Sequence, residues 1–373
     1  MKVLEKTRDE VISEAFNATK DLRRCSVNIV MGVGKTLLGL IHMNHIYTEE
    51  SIFLVVAPKL SIFNTWKEEA KKHGYEHLLP HIQFSTYLSL KKQSIHYDCT
   101  YFDEFHNITE AHIGWLSSYN NKILGLTGTK PRSKSKIAIM ELFFPIVYEY
   151  DINEAMANKI LNKCFIKIHM LELSTDNSIK IETKTGKTWM TSELNSYNYW
   201  TNKIGELEDT DNVSYNDLKI FRILRMNALK NFKSKEIYAK ELLKQSVNKT
   251  IVFANTTKQA DSIYTYTYHS KNPNSKDNLK LFEENKITKL ATVLQLVEGI
   301  NVPNLKEAII LHAYGNGIKL FQRLGRLLRL NPEDSSIIHL LCYKNTADEM
   351  WIEDSLKDFD QTKIIKYDAS NNN

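Results

Sequence analysis

The sequence predicts an α/β protein made of two domains, each built around a parallel β-sheet. The chain has 373 residues, which is enough for two ordinary domains with separate cores. Short, continuous apolar segments rich in β-branched residues alternate with stretches of helical character, as in parallel strands that are buried on both faces. This alternation occurs in two blocks, and it therefore indicates two α/β domains.

The predicted strands fall into two groups along the chain. Those of the first group lie at 26–31, 51–58, 81–86, 99–104 and 122–129. Those of the second group lie at 249–255, 289–296, 307–313 and 335–343. An alternating segment at 163–173 predicts one more strand between the two groups.

Residues 174–245 differ in composition from both groups of strands. They begin with a polar stretch rich in Gly, Thr and Lys, which indicates an exposed hairpin or loop, and they continue as helices. We therefore predict four parts of the chain. They are a first domain at 1–150, a crossover strand, hairpin and helical insertion at 151–245, a second domain at 246–366 and a frayed tail at 367–373.

Composition narrows the class of protein. Hydrophobic residues make up 42% of the chain and charged residues 25%, which is typical of a soluble globular protein. The net charge of +5 permits a nucleic-acid partner without indicating one. The four cysteines lie far apart, which argues against a zinc ribbon or a disulfide scaffold and favours a reducing compartment. No apolar run approaches the ~20 residues of a membrane helix, so we expect a cytoplasmic protein with no membrane partner.

A phosphate-binding loop is predicted at residues 31–36. The sequence NIVMGVGKTLLGL (28–40) is typical of a strand, a glycine turn and a helix, whose N–H groups and dipole attract phosphate. Ile29 replaces the first glycine of the usual pattern, which changes the start of the loop but not its donors. The candidate nucleotide-binding residues are Met31, Gly32, Val33, Gly34, Lys35 and Thr36.

A pair of acids follows the strand predicted at 99–104. Acids at this edge of a parallel sheet lie beside the phosphate loop, so Asp103 is expected to hold Mg²⁺ together with the Thr36 hydroxyl. Glu104 is expected to orient and deprotonate the attacking water. The alternative is a solvated strand end, in which the acids serve only solubility.

These segments, and others that follow them in order, resemble the motifs of the superfamily 2 helicases. Residues 55–69 are similar to motif Ia in the form found in chromatin-remodelling ATPases, and DEFH is similar to the DExH form of motif II. The closest overall similarity is to compact helicases of DNA bacteriophages, which would place the chain in the host cytoplasm. The remaining resemblances are motif I at 31–36, the segment after motif Ia at 84–87, motif III at 126–131, motif IV at 251–260, motif V at 291–304 and motif VI at 321–329.

The resemblance implies two tandem RecA-like P-loop domains with an ATP cleft between them. It implies ATP and Mg²⁺ as cofactors and single-stranded, forked or branched DNA as the partner of a monomeric motor. A double-strand translocase that does not unwind, an RNA helicase and a non-hydrolysing nucleic-acid-binding protein remain as alternatives. No glutamine precedes Gln83, so the adenine-reading glutamine that the family often places upstream of motif I is missing.

The resemblance also assigns roles to individual residues. Arg326 and Arg329 would reach the γ-phosphate, Gln322 would hold the attacking water or the γ-phosphate, and Asn301 would contact the nucleotide. Arg323 would contribute either to this site or to a structural ion pair. The candidate catalytic residues are Lys35, Asp103, Glu104, His106, Gln322, Arg326 and Arg329.

Nucleic-acid contacts are expected on both domains. Thr127 and Thr129 would couple the two sites, and Trp66 would either stack on a base or lie in the core. The 174–245 region is either a duplex-gripping element or a solvated hairpin with helices that pack on the second domain. The candidate contacts are Lys59, Ser61, Thr86, Thr256, Thr292 and Gly299, with Lys180, Lys184, Lys187, Trp189, Tyr197, Tyr199 and Trp200 in the 174–245 region.

Overall fold

The structure of the chain is a computed structural model. The structure describes residues 6–131, 133–182, 186–209, 215–293, 302–312, 334–357 and 359–369. These residues form two compact units. The first unit extends to Lys163 and the second begins at Cys164, and shorter segments from the C-terminal part of the chain join each of them.

The first unit contains a parallel sheet of six strands. Its order is β3-β2-β4-β5-β1-β6, so that β5 lies between β1 and β4. Five of these strands confirm the predicted ones. β6 was not predicted because it is an edge strand whose residues alternate in burial and therefore lack a continuous apolar run. The strands are β1 (Arg24–Ile29), β2 (Phe53–Ala57), β3 (Ile82–Thr86), β4 (Cys99–Asp103), β5 (Lys122–Thr127) and β6 (Ile146–Tyr150).

Helices connect these strands. The first helix begins with a capping box in which Thr7 and Glu10 satisfy each other's backbone N–H groups, and it buries Val11, Ile12 and Ala15. Phe102, Phe105 and other aromatic side chains fill the core of the unit. The helices are α1 (Arg8–Thr19), α2 (Lys35–Ile46), α3 (Ser61–Lys72), α4 (Ile113–Ser118), α5 (Lys134–Phe143) and α6 (Ile152–Ala157).

The second unit contains a sheet of seven strands in the order β11-β12-β10-β13-β14-β7-β15. The predicted crossover strand is part of this sheet as β7, beside the C-terminal strand β15. Tyr367 and Asp368 pair with β7, so they are not part of a frayed tail. The strands are β7 (Lys163–Leu171), β10 (Thr250–Ala254), β11 (Thr267–Tyr268), β12 (Lys289–Val293), β13 (Glu307–Ile310), β14 (Ser335–Tyr343) and β15 (Ile364–Asp368).

The 174–245 region contains the hairpin and the helices that the sequence predicts. β8 (Ile179–Glu182) pairs with β9 (Thr188–Thr191) in antiparallel fashion. Tyr197, Leu229 and Leu243 pack into the same core as strand residues of the second sheet, so the helices belong to this unit. The helices of the unit are α7 (Glu193–Glu208), α8 (Tyr215–Asn231), α9 (Ser234–Gln245), α10 (Thr257–Ile263), α11 (Ser275–Glu283) and α12 (Ala347–Leu356).

A buried ion pair connects α9 to α12. Lys235 is fully buried, its ammonium group bonds to the Asp348 carboxylate, and it lies 4.5 Å from the ring centre of Tyr343. His312 Nδ1 lies 3.3 Å from the same ammonium nitrogen. The pair therefore joins the inserted helices to the second unit by charge as well as by apolar packing.

Replacing Lys235 by methionine is expected to lower the free energy of unfolding of the chain by about 3–5 kcal/mol, because Asp348 is then left buried and unpaired. Urea denaturation followed by circular dichroism measures this loss. Lys203→Met is the control, since Lys203 pairs with Glu206 at the surface and its loss is expected to change stability little. Equal unfolding midpoints for the two variants would contradict the prediction.

None of the helices in the described part of the chain has the length and apolar character that a membrane-spanning segment requires.

Candidate active site

The predicted phosphate loop lies between β1 and α2. β1 ends at Ile29 and α2 begins at Lys35, so the first N–H groups of α2 have no partners within the helix. Gly32 and Gly34 have φ angles of 92° and 122°, which L-residues with side chains rarely adopt. The loop therefore has the backbone that a phosphate-binding turn needs, as the sequence predicts.

The conformation of Gly34 leaves no room for a side chain, which a substitution can test. A Cβ atom at Gly34 would lie 2.9 Å from Ile12 Cδ1 and 3.1 Å from Arg8 Nη2, in addition to the backbone strain. Gly34→Ala is therefore expected to weaken nucleotide binding about tenfold or more, as measured with a fluorescent nucleotide. Gly114→Ala is the control, because no atom lies within 4 Å of a Cβ added there. Wild-type affinity in Gly34→Ala would contradict this account of the loop.

Arg8 supports the loop from α1 and was missed by the sequence analysis. Its Nε–H donates a hydrogen bond of 2.7 Å to the carbonyl of Val33, and Arg8 and Ile12 together cover Gly34. The residue precedes Val33 by 25 positions, and no spacing pattern in the sequence connects the two. α1 thus contacts the phosphate loop through an arginine.

Lys35 lies at the first turn of α2 with only 9% of its side chain exposed. Its Nζ is 3.3 Å from the carbonyl oxygen of Ile29 and 3.9 Å from Glu104 Oε1. Gly128 makes room for the ammonium group, because a Cβ there would lie 2.9 Å from Lys35 Nζ. Thr127 and Thr129 on either side of Gly128 were predicted to act here, yet the glycine itself is the residue that borders the lysine.

The order of the strands places the two acids at the same edge of the first sheet as the phosphate loop. β1 and β4 both pair with β5 in parallel, so the segments after the three strands meet at one edge of the sheet. Asp103 is the last residue of β4 and Glu104 follows it with a left-handed φ of 51°. Consecutive strand residues point to opposite faces, and the left-handed turn ends that alternation directly after Asp103.

The two carboxylates have different surroundings. Glu104 Oε2 lies 3.3 Å from His106 Nδ1, and 15% of the side chain is exposed. Burial favours a raised pKa for Glu104, but Lys35 and His106 outweigh burial and lower the pKa. Burial and the neighbouring charge of Glu104 raise the pKa of Asp103, against the opposing effects of Trp66 and Lys35. Glu104 is therefore the carboxylate that the site holds most firmly in its charged form.

His106 connects the acids to β5. Its Nδ1 lies 3.0 Å from the Thr127 hydroxyl and 3.4 Å from the Thr129 hydroxyl. Thr127 in turn donates to the carbonyl of Thr129 at 2.9 Å. This chain of contacts reaches from Glu104 to both threonines, and it is the kind of path that their predicted coupling role requires.

Trp66 lies in the core and does not stack on a base. It is fully buried, and its Nε1–H donates a 2.8 Å hydrogen bond to Asp103 Oδ2. The stacking alternative is therefore wrong, since no face of the indole reaches the surface. The contact of this tryptophan with an acid of the candidate site was not predicted from the sequence.

The candidate metal ligands fit Mg²⁺ in type. They are the hydroxyl of Thr36 and the buried carboxylate of Asp103, and Mg²⁺ prefers such oxygen ligands when phosphates and water complete its shell. Within the described ranges, no cluster of three or more His, Cys, Asp or Glu side chains could hold a metal.

The predicted nucleic-acid contacts differ in accessibility. Ser61 is exposed at the start of α3, and Lys59 and Thr86 are half-buried. Thr256 is half-buried and caps α10 by accepting the N–H of Gln259 at 3.1 Å. The prediction for Thr292 is wrong, because it is fully buried in β12 and its hydroxyl donates to the carbonyl of Tyr268 at 2.9 Å.

The hairpin separates the aromatic and basic groups that the sequence places close together. Trp189 is paired with Ile181, whereas Lys180 is paired with Met190, so Trp189 and Lys180 lie on opposite faces. Trp189 is 48% exposed. One face of the hairpin therefore carries the Trp189 indole, and the other carries the Lys180 ammonium group.

Several predicted residues lie outside the described part of the chain. They are Lys184, Gly299, Asn301, Gln322, Arg323, Arg326 and Arg329.

Two family models match the chain in succession. The model described as "Type III restriction enzyme, res subunit" matches residues 2–132, and "Helicase conserved C-terminal domain" matches residues 233–331. The first match contains the phosphate loop and both acids. The second contains the segment with Gln322, Arg326 and Arg329.

The full length of the chain resembles known helicases and translocases. The DNA 3'-5' translocase XPB2 of Sulfurisphaera tokodaii is 25% identical to it, over 90% of this chain and 81% of that protein. The Hef helicase domain of Pyrococcus furiosus shares the fold at 14% identity and a TM-score of 0.53, with 93% of this chain and 97% of that chain covered.

Parts of two larger proteins also share the fold. The helicase Lhr of Mycobacterium smegmatis, bound to ssDNA and AMP-PNP, matches with a TM-score of 0.56 at 14% identity, covering 95% of this chain and 48% of that one. The restriction-modification enzyme LlaBIII, bound to DNA, matches with a TM-score of 0.62 at 13% identity, covering 100% of this chain and 32% of that one. The two sheets are thus tandem RecA-like domains. The two family-model matches and the XPB2 relative together support a superfamily 2 helicase, an ATP-hydrolysing enzyme.

Proposed function

We propose that this chain is an ATP-dependent DNA helicase or translocase, in which hydrolysis at the edge of the first sheet drives movement along DNA. The observation that carries the proposal is the convergence of Lys35, Glu104 and Asp103 beside a glycine loop of the required backbone. Such a site can bind the phosphates of a nucleotide and activate water against the outermost one. The resemblance of the whole chain to motor proteins favours the use of that energy for movement.

We propose roles for the residues around the nucleotide. Thr36 and Asp103 would hold Mg²⁺, which supplies charge neutralisation at the phosphates when it is bound. Lys35 would leave its contact with the Ile29 carbonyl for the outer phosphates. Glu104, kept charged by Lys35 and His106, would orient the attacking water and accept its proton.

The missing upstream glutamine supports tolerance of other nucleoside triphosphates, which an ATP, GTP and CTP comparison would test.

Two arginines of the motif VI segment would complete the site. We propose that Arg326 and Arg329 stabilise the charge that develops on the γ-phosphate, with Gln322 and Asn301 as further nucleotide contacts. Arg326→Ala and Arg329→Ala are each expected to lower kcat about 10³-fold and to change nucleotide affinity only a few-fold. Single-turnover kinetics and equilibrium nucleotide binding measure the two quantities separately. A loss of affinity with an unchanged kcat would contradict the role.

DNA is the favoured partner because three of the similar proteins are described with it. One is a DNA 3'-5' translocase, one was seen with ssDNA and one with DNA. We propose the same 3′-to-5′ direction for this chain. Ser61, Lys59 and Thr86 would contact strand phosphates on the first domain and Thr256 on the second, and such contacts carry no sequence information. Trp189 would add a stacking surface on the hairpin.

The decisive experiment compares ATP turnover with single-stranded DNA, blunt duplex, forked DNA, a four-way junction and RNA. We expect stimulation by DNA together with unwinding of the fork. Stimulation by blunt duplex without unwinding would favour a double-strand translocase. Stimulation by RNA alone would favour an RNA helicase, and no turnover with any of them would favour a non-hydrolysing binding protein.

We also propose a reducing, cytoplasmic setting and a monomeric motor. All four cysteines, Cys25, Cys99, Cys164 and Cys342, are free and buried. Burial raises the pKa of the Cys25, Cys99 and Cys342 thiols to about 12, which makes them poor nucleophiles. Light scattering with and without DNA tests the oligomeric state.

A further inference from the structure

Two buried side chains hold Asp103 from segments that we expect to contact nucleic acid. Trp66 Nε1–H donates to Asp103 Oδ2 at 2.8 Å, and the Tyr87 hydroxyl donates to the backbone carbonyl of Asp103 at 2.9 Å. Trp66 is fully buried and Tyr87 is 6% exposed, so water does not replace either donor. The carboxylate and the backbone of one residue are thus fixed from two directions.

Both donors are close in sequence to candidate DNA contacts. Trp66 follows Ser61 by five residues on α3, a distance of about 7.5 Å along the helix axis. Tyr87 directly follows Thr86, at the end of β3. A helix and a strand end move as units, so a shift at Ser61 or Thr86 is passed on to the donor that contacts Asp103.

Trp66 also contacts the helix that begins with Lys35. A Cβ at Gly39 of α2 would lie 2.5 Å from Cη2 of Trp66, so the indole fits a position that only glycine leaves open. The indole therefore packs on the helix of the phosphate loop with its ring and bonds to the candidate metal ligand with its nitrogen.

We propose that Trp66 and Tyr87 are positioning residues that set the orientation of Asp103 and make it respond to DNA on the first domain. The inference rests on the proposed function, in which Asp103 holds Mg²⁺ and α3 and Thr86 contact DNA. A hydrogen bond from outside the metal shell fixes which carboxylate oxygen faces the metal, and such bonds change metal affinity strongly. This path is separate from the contacts that run from Glu104 through His106 to Thr127.

The chain offers a matched control for each variant. Trp66→Phe and Tyr87→Phe each remove one donor and keep an aromatic ring. Trp115→Phe removes an indole bond to the carbonyl of Gln93, and Tyr119→Phe removes hydroxyl bonds to backbone carbonyls, one of them that of Tyr97. Both controls are buried in the first unit and do not contact Asp103. The loss of folding stability should therefore be similar in Trp66→Phe and Trp115→Phe, and likewise in Tyr87→Phe and Tyr119→Phe.

The first measurement is the affinity for ADP by calorimetry, with Mg²⁺ and with EDTA. The ratio of the two affinities reports how well the site holds the metal, and it does not depend on turnover. We expect the ratio to fall about tenfold in Trp66→Phe and a few-fold in Tyr87→Phe, and to stay unchanged in the controls. If the Phe variants of Trp66 and Tyr87 match their controls, the inference is overturned.

The second measurement is the ratio of DNA-stimulated to unstimulated ATP turnover in the same proteins. We expect this ratio to fall in Trp66→Phe and Tyr87→Phe and to hold in Trp115→Phe and Tyr119→Phe. If the ratio of ADP affinities with Mg²⁺ and with EDTA falls while DNA still stimulates ATP turnover as in the wild type, the proposed response of Asp103 to DNA is wrong. Should the wild-type chain show no stimulation by any nucleic acid, the proposed function fails instead, and the calorimetric ratio still decides whether these donors position Asp103.

Discussion

Glu104→Gln is expected to lower ATP turnover about a thousandfold and to leave nucleotide affinity within a few-fold of the wild-type value. The loss follows from removing the general base, since a positioned base contributes about 10²–10⁴-fold to such a step. Affinity is retained because glutamine has the same shape, and because the change removes a negative charge that lies 3.9 Å from Lys35. Lys35 then keeps its full charge for the phosphates.

The measurement pairs steady-state ATP hydrolysis with binding of a fluorescent nucleotide. Glu110→Gln is the matched control, because Glu110 is an exposed carboxylate six residues further along and lies outside the described contacts of the site. We expect wild-type turnover and affinity in the control. If Glu104→Gln hydrolyses ATP at the wild-type rate, another group activates the water, and the acid pair is then a structural feature of the strand end.

The position of the acid pair at the end of β4 was predictable from the sequence, whereas the backbone geometry at Glu104 was not. The pattern of an apolar strand that ends in two acids predicts where the acids lie along the chain. It does not contain the left-handed φ of 51°, which costs a non-glycine residue energy and which often marks a functional site. That single turn allows Asp103 to bond to Trp66 while Glu104 faces Lys35.

Strand prediction succeeded where burial is continuous, and the strands that it missed, β6, β11 and β15, lack such burial. β2 and β4 are buried along their whole length, and the sequence shows them as unbroken apolar runs. β6 is an edge strand with alternating burial, so its signal is weak. β7 was predicted as a strand, but its place in the second sheet depends on pairing with β14, which lies about 170 residues away in the sequence. Local patterns contain no information on that pairing.

Side-chain roles were hardest to predict where one residue type serves two purposes. A threonine in a helicase-like motif suits a phosphate contact, yet the hydroxyl of Thr292 is used inside the sheet by the carbonyl of Tyr268. A tryptophan in an amphipathic helix suits the core, yet Trp66 also donates to Asp103. In both cases the partner is distant in the sequence, and only the fold brings the two together.

Lys35→Ala is expected to lower ATP turnover about a thousandfold and, unlike Glu104→Gln, to weaken nucleotide binding as well. The ammonium group contributes to binding through the outer phosphates and to catalysis through the charge that develops in the transition state. Its present contacts, 3.3 Å from the Ile29 carbonyl and 3.9 Å from Glu104, are long, so the fold should tolerate the change. Thermal unfolding by circular dichroism checks the fold, and Lys203→Ala is a control for the loss of an exposed lysine.

ATP turnover in Lys35→Ala, Glu104→Gln and the double variant shows whether the two residues act in one site or contribute independently to hydrolysis. If Lys35 and Glu104 act on the same phosphoryl transfer, the double variant should hydrolyse ATP about as slowly as the slower single variant, because groups that act as a unit are not additive. Independent contributions would multiply to about a millionfold loss. Unchanged turnover in Lys35→Ala would reject the phosphate loop as the nucleotide site, whatever the double variant shows.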